Sequence, residues 1–118
     1  MTFDFPRLLS FAALIAVLSA CASPEQAAVN RSELMQKLFP DPNDRAGLHL
    51  VFPIDRSALV THYPNQISDA QAMQKVAGYC QRTFLGSTLV ITRESEPGST
   101  VLGDGSTVAT RETSISCK

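Results

Sequence analysis

The chain has 118 residues, room for one small domain, and a formal net charge of −1 from 10 basic and 11 acidic side chains. That balance excludes the global basic field that draws nucleic acid, and a chain with no Trp and 7% aromatic residues offers no base-stacking platform. A domain this small buries little of its surface, so a covalent staple would add materially to its stability.

Residues 1–7 carry one basic side chain, Arg7, set against Asp4. Residues 8–18 (LLSFAALIAVL) are an apolar run of eleven with a single Ser. This suits the core of a secretory signal and is too short to cross a bilayer, which takes about 20 residues. Leu18-Ser19-Ala20-Cys21 follows. This tetrad, an aliphatic residue, two small ones and a Cys, resembles the lipobox of bacterial lipoproteins. The resemblance implies that residues 1–20 are removed as a signal peptide. It also implies that the Cys21 thiol takes a diacylglycerol group and the freed amine an acyl chain, with no other cofactor. Two or three chains, at about 0.8 kcal/mol per buried CH2, anchor stably where a single chain is marginal. Ala22, rather than Asp, after the Cys implies the outer membrane of a Gram-negative cell, facing the periplasm.

Residues 21–31 then read as a lipidated tether and 32–118 as the domain. The stretch 21–30 (CASPEQAAVN) is small, polar and unpatterned. Asn30 and Glu33 fit a capping box, and Leu34, Met35, Leu38 and Phe39 recur at helical spacing until Pro40 and Pro42, predicting a short helix. Residues 40–45 (PDPNDR) read as a turn. Asp41, Asn43 and Asp44 hint at calcium ligands, but Arg45 stands where the next oxygen ligand is needed. In residues 47–54, Leu48, Leu50, Phe52 and Ile54 alternate, predicting a strand with these four on the core face and His49 towards solvent. Pro53 confines its end to a sheet edge or a strand terminus. Residues 58–63 extend or pair with this strand.

The clearest helix spans residues 68–84. Ser68 and Gln71 fit a capping box, Asp69 suits the positive end of the dipole, and Gly86 closes the element. Ile67, Ala70, Met73, Ala77, Cys80 and Phe84 form the expected buried stripe. Residues 87–94 (STLVITRE) and 107–117 (TVATRETSISC) are β-branched-rich and strand-like. Between them, Pro97-Gly98 suits a type II turn and Asp104-Gly105 a second turn. The expectation is two strands paired across a long loop; a short extra strand at 100–103 is the alternative. The fold class is therefore α+β: one principal amphipathic helix packed on a small antiparallel sheet of three or four strands.

With Cys21 lipidated, Cys80 and Cys117 are the two remaining thiols. Outside the inner membrane such a pair usually bonds, which would tie the helix to the last strand. Two free thiols, or a redox pair lacking the Cys-x-x-Cys motif, are the alternatives.

No catalytic constellation emerges. His49 and His62 are isolated, no Ser stands in Gly-x-Ser-x-Gly, and two His cannot make a zinc pattern. Gly103-Asp104-Gly105 is not followed by the Lys-Ser/Thr of a phosphate loop. The expectation is a non-enzymatic binding or structural component, held to the membrane by its lipid and meeting another envelope protein, not nucleic acid. Its contact surface would be a sheet edge or the polar loop 95–105, with Ser99, Thr100 and Asp104 as candidate partner-binding residues. Residues 87–92 followed by 101–108, with Asp104-Gly105, resemble the hairpin of membrane-bound lysozyme inhibitors. That resemblance implies inhibition of a wall-cleaving enzyme. The chain departs from the family in its Tyr79-Cys80 pair, in lacking a Ser-Gly-x-x-Tyr loop and in its amphipathic helix. A cell-wall hydrolase is the remaining alternative class.

Overall fold

A computed structural model describes residues 23–118. Residues 1–20, expected to be a signal peptide, and Cys21 lie outside the described residues. The elements run α1 (Pro24–Leu38), α2 (Pro42–Arg45), β1 (Leu48–Ile54), β2 (Ser57–His62), α3 (Asp69–Thr83), β3 (Leu89–Val101) and β4 (Thr107–Cys117). The four strands form one antiparallel sheet in the order β1-β2-β4-β3. Helix α3 crosses from β2 to β3, and β4 returns between them.

Helix α3 starts where its residues dictate. The Ser68 side chain accepts from Gln71 N at 3.1 Å, and Gln71 Oε1 accepts from Ser68 N at 2.8 Å. Its buried line is Ala72, Val76, Tyr79 and Cys80, rotated from the expected stripe. Ala70 is exposed, and Met73 and Ala77 lie on the flank. The small Ala72 and Val76 let the helix settle on the sheet, facing Val51, Val60 and Ile115 in the core. The Cys80–Cys117 disulfide joins α3 to the end of β4, with Cα atoms 5.4 Å apart.

Residues 24–30, expected as tether, are helical. Ser23 caps α1 by accepting from Gln26 N at 3.2 Å, and Pro24 occupies the first turn. The cap is therefore Ser23, not Asn30, because Ser-Pro-Glu supplies cap, fixed φ and first-turn charge together. At the other end of α1, Met35 and Phe39 enter the core, and the Phe39 ring lies 5.9 Å from that of Tyr79. Residues 42–45 make one helical turn, capped by Asp41, whose carboxylate accepts from Asn43 N.

Strand β1 forms with a different phase from the expected one. A bulge between Leu48 and Leu50 accommodates His49 as an extra residue. Past the bulge, Val51 pairs with Val60 on the core face, and Phe52 and Ile54 turn to the opposite, outer face. His49, expected in solvent, is buried at 7% exposure. The β1–β2 hairpin turns at Asp55-Arg56, where Asp55 takes φ 54°, a left-handed conformation Asp tolerates.

The expected long loop at 95–105 is mostly strand. Strand β3 continues to Val101 through irregularities between Ile91 and Arg93 and between Arg93 and Glu96. Pro97 pairs with Arg111. A proline fits here because β3 is an edge strand next to a bulge. Only residues 102–106 turn, and a Cβ at Gly103 would stand 3.1 Å from the Ala28 methyl, so the hairpin tip packs on α1.

Candidate functional site

The two histidines end in separate buried clusters. His49 Nδ1 lies 2.6 Å from Tyr63 Oη, and its Nε2 lies 3.2 Å from Thr100 Oγ1. A neutral imidazole donates through one nitrogen and accepts through the other, and either hydroxyl can take either role. Burial, aided by the nearby Arg31 guanidinium, lowers the His49 pKa to about 4. Burial likewise raises the Tyr63 phenol. The cluster is a neutral lock between β1, the segment after β2 and the distal β3–β4 hairpin.

His62 is fully buried, with Nε2 3.2 Å from Asp69 Oδ1. Arg111 Nε lies 3.6 Å from the same oxygen. Ser95 Oγ donates to Asp69 Oδ1 at 3.3 Å and accepts from Arg111 Nε at 2.6 Å. Arg111 Nη2 also donates to the Ser95 carbonyl at 2.9 Å. The His62 pKa is lowered by burial, with Asp69 opposing and Arg111 adding to the shift. The residue types are those of a nucleophilic triad, but the order is wrong. Asp69 sits in the centre, and His62 meets the carboxylate instead of the Ser95 hydroxyl, so no base is placed to activate it. The arrangement ties the N-terminus of α3 to β4 and the middle of β3.

Of the three residues singled out for partner binding, Thr100 is half-buried in the His49 lock. Asp104 is exposed and closes the turn, accepting from Ser106 N at 2.9 Å and Ser106 Oγ at 2.6 Å, which hold its carboxyl below its ordinary pKa. Ser99 is exposed on β3, opposite Ala109. The structure does not bring these three into one open site. Among the described residues, no group of three or more His, Cys, Asp or Glu is placed to hold a metal ion.

A concave feature lies on the other flank of the hairpin. A groove of about 570 Å3 runs between α3 and β3, lined by Met73, Ala77, Gln81, Leu89 and Ile91 among others, with Asp69 among its lining residues. Its lining is mostly apolar, and β3 is the terminal strand of the sheet there. Thr88 and Lys118 exchange both backbone bonds, at 2.6 and 2.9 Å. In an antiparallel ladder the next pair, Leu89 with Cys117, leaves its N–H and C=O pointing away from the partner strand. Cys117 N accordingly bonds back to Arg56 O at 2.7 Å. By the same alternation the backbones of Leu89 and Ile91 face outward, beside the groove that their side chains line. The opposite edge is closed: the outward N–H of Val51 on β1 donates to Met35 Sδ of α1 at 3.3 Å.

Sequence reasoning missed this groove because its two walls come from the flank of α3 and the terminal strand. Met73 and Ala77 read as core, and only strand order shows which edge is open. No protein-family model matches the chain, and no curated protein or solved structure is significantly similar to it.

Proposed function

We propose that the mature chain is a lipid-anchored, non-enzymatic cell-envelope protein. It binds an extended segment of another envelope protein by adding a strand to β3 in the α3–β3 groove. One observation carries the binding reading: the backbones of Leu89 and Ile91 face outward beside an apolar groove, while α1 covers the other edge. An extended chain complements this surface with main-chain hydrogen bonds, and its alternate side chains enter the groove next to Met73 and Ala77. The irregularity after Ile91 limits the pairing to a short stretch. Lipidation at Cys21 rests on the Leu18-Ser19-Ala20-Cys21 tetrad and supplies the address at which such a partner would be met.

The test is photo-crosslinking in cells from Gln74 on the groove wall, combined with Ile91→Pro. Proline at 91 removes an outward N–H while leaving the β4 ladder intact, because Ile91 makes no bond on that side. One captured protein, crosslinked through a single continuous stretch and lost with Ile91→Pro, is the expected result. Capture unchanged by Ile91→Pro, in protein that keeps its Cys80–Cys117 bond, rejects strand addition.

A further inference from the structure

We propose that the outer face of the sheet around Phe52, Ile54 and Leu59 lies directly against the bilayer that holds the lipid on Cys21. The inference rests on the lipid-anchor reading above and goes beyond it, because an anchor by itself leaves the domain free to present any face.

Three observations meet on this face. The first is apolar exposure. Phe52 is 49% exposed, Ile54 59% and Leu59 37%, all on the side of the sheet away from α3. The register makes them contiguous: Phe52 stands opposite Leu59, and Ile54 lies two residues further along β1, opposite Ser57. Beyond them the row continues through Ser57 and Ser116, whose hydroxyls bond to each other at 2.7 Å, to the exposed Val90. The patch is thus apolar side chains and small hydroxyls. At its rim, Arg93 stands opposite Ser114 on β4, and Glu96 pairs with it at 3.7 Å. The exposed Glu112 stands opposite Glu96 on the same face, and Arg31 lines the cavity beside Phe52, so the rim mixes charges of both signs and leaves hydrocarbon contact, not electrostatic attraction, as the driving force.

The second observation is where α1 goes. Its C-terminal end meets Tyr79 on the α3 side, through Phe39. Its N-terminal half has crossed to the outer face, where Ala27, Asn30, Arg31 and Leu34 line a cavity of about 300 Å3 with Leu50 and Phe52. The chain therefore leaves the domain towards Cys21 beside the apolar patch.

The third is the length of chain left over. Ser23 caps α1, so Ala22 is the one residue between the helix cap and Cys21. Two Cα–Cα steps span at most about 7.6 Å, and Ala27 lies about one helical pitch, roughly 5.4 Å, inside the cap. The acyl chains consequently enter the membrane on the order of 13 Å along the chain from the residue that touches the Phe52 pocket. Side chains at an interface typically sink about 5–10 Å below the headgroups, so the patch and the anchor reach the same layer together. Set this way, the bilayer covers the outer face, and the α3–β3 groove remains free on the side that bears the helix.

The absence of Trp from the chain makes a single-reporter test available. The acylated mature protein, beginning at Cys21, is placed in phosphatidylethanolamine–phosphatidylglycerol vesicles whose phospholipids carry bromine on the acyl chains. Two variants are compared: Phe52→Trp on the patch and Leu85→Trp, a 92% exposed position just past α3. Quenching of Phe52→Trp at least threefold stronger than that of Leu85→Trp, with a blue shift, supports the proposal. Equal quenching overturns it. So does a blue shift without bromine quenching, which would mean that a second copy or the protein's own acyl chain fills the patch. Flotation with vesicles and acyl labelling are read on the same samples. Retained flotation with an unquenched Phe52→Trp overturns the face alone, whereas loss of both label and flotation overturns the anchor and the face together. An intact Cys80–Cys117 bond in each variant confirms folding.

Discussion

His49 shows how one buried side chain couples folding to pH. In the unfolded chain its pKa is the ordinary 6.5, and in the fold it drops to about 4. The folded state thus favours the neutral ring, and between these values the unfolded state binds more protons, so stability rises with pH across that window. The contribution is complete above pH 6.5 and is lost as pH falls through 4, reaching on the order of 3 kcal/mol. His62 is shifted in the same direction by burial and adds to the effect. Urea unfolding at pH 7 and pH 4.5 should show a larger acid loss for the wild type than for His49→Gln, which cannot titrate. Equal losses would mean that the His49 ring is not held neutral by the fold. A second cost of removing the ring is the pair of half-buried hydroxyls, Tyr63 and Thr100, that it satisfies. His49→Ala at pH 7 should therefore destabilise by about 1–3 kcal/mol.

At the scale of elements, the disulfide and α1 do complementary work. Cys80 and Cys117 are both buried and close a loop with a sequence separation of 37. Closing such a loop in the unfolded chain is worth about 4 kcal/mol in the chain-entropy model. The bond pins the last residues of β4, which lies between two strands and whose loss would split the sheet. Denaturant unfolding of Cys80→Ser/Cys117→Ser should show a loss near that size, and reductant should reproduce it in the wild type. A double variant as stable as the wild type would show that packing of α3 alone holds β4. Helix α1, in turn, closes the β1 edge through Met35 and fills the core with Phe39. Among the described residues this leaves β3 as the edge of the sheet not closed by a helix, and an exposed edge is a template for pairing.

For the molecule as a whole, the short link between Ser23 and Cys21 matters more than any single contact. A flexible tether would let the domain sample a layer tens of ångströms thick. With the proposed lipid on Cys21, a helix that begins at Pro24 would restrict it to the membrane surface. Confinement of that kind would raise the effective concentration of a partner in the same membrane, so that the proposed strand pairing at β3 would be occupied even at low affinity. All of this depends on acylation. Metabolic labelling with a radioactive fatty acid should mark the wild type and leave Cys21→Ala unlabelled, and equal label in both would remove the anchor from the account.

What could be read along the chain was whatever is local. Ser68, Asp69 and Gln71 announced α3, β-branched runs announced β3 and β4, and the two cysteines beyond Cys21 announced the bond that ties α3 to β4. The start of α1 was equally local in Ser23-Pro24-Glu25, and it was hidden only by the apolar spacing further on that suggested Asn30. Tertiary structure alone decided the rest. The phase of β1 could not be read from alternation, because one bulged residue, His49, inverts every side chain beyond it. Burial of His49 and His62 depended on the distal hairpin and on α3, both far away in sequence. The α3–β3 groove needed strand order, since inserting β4 between β2 and β3 is what leaves β3 at the edge with its outward backbone beside Met73 and Ala77.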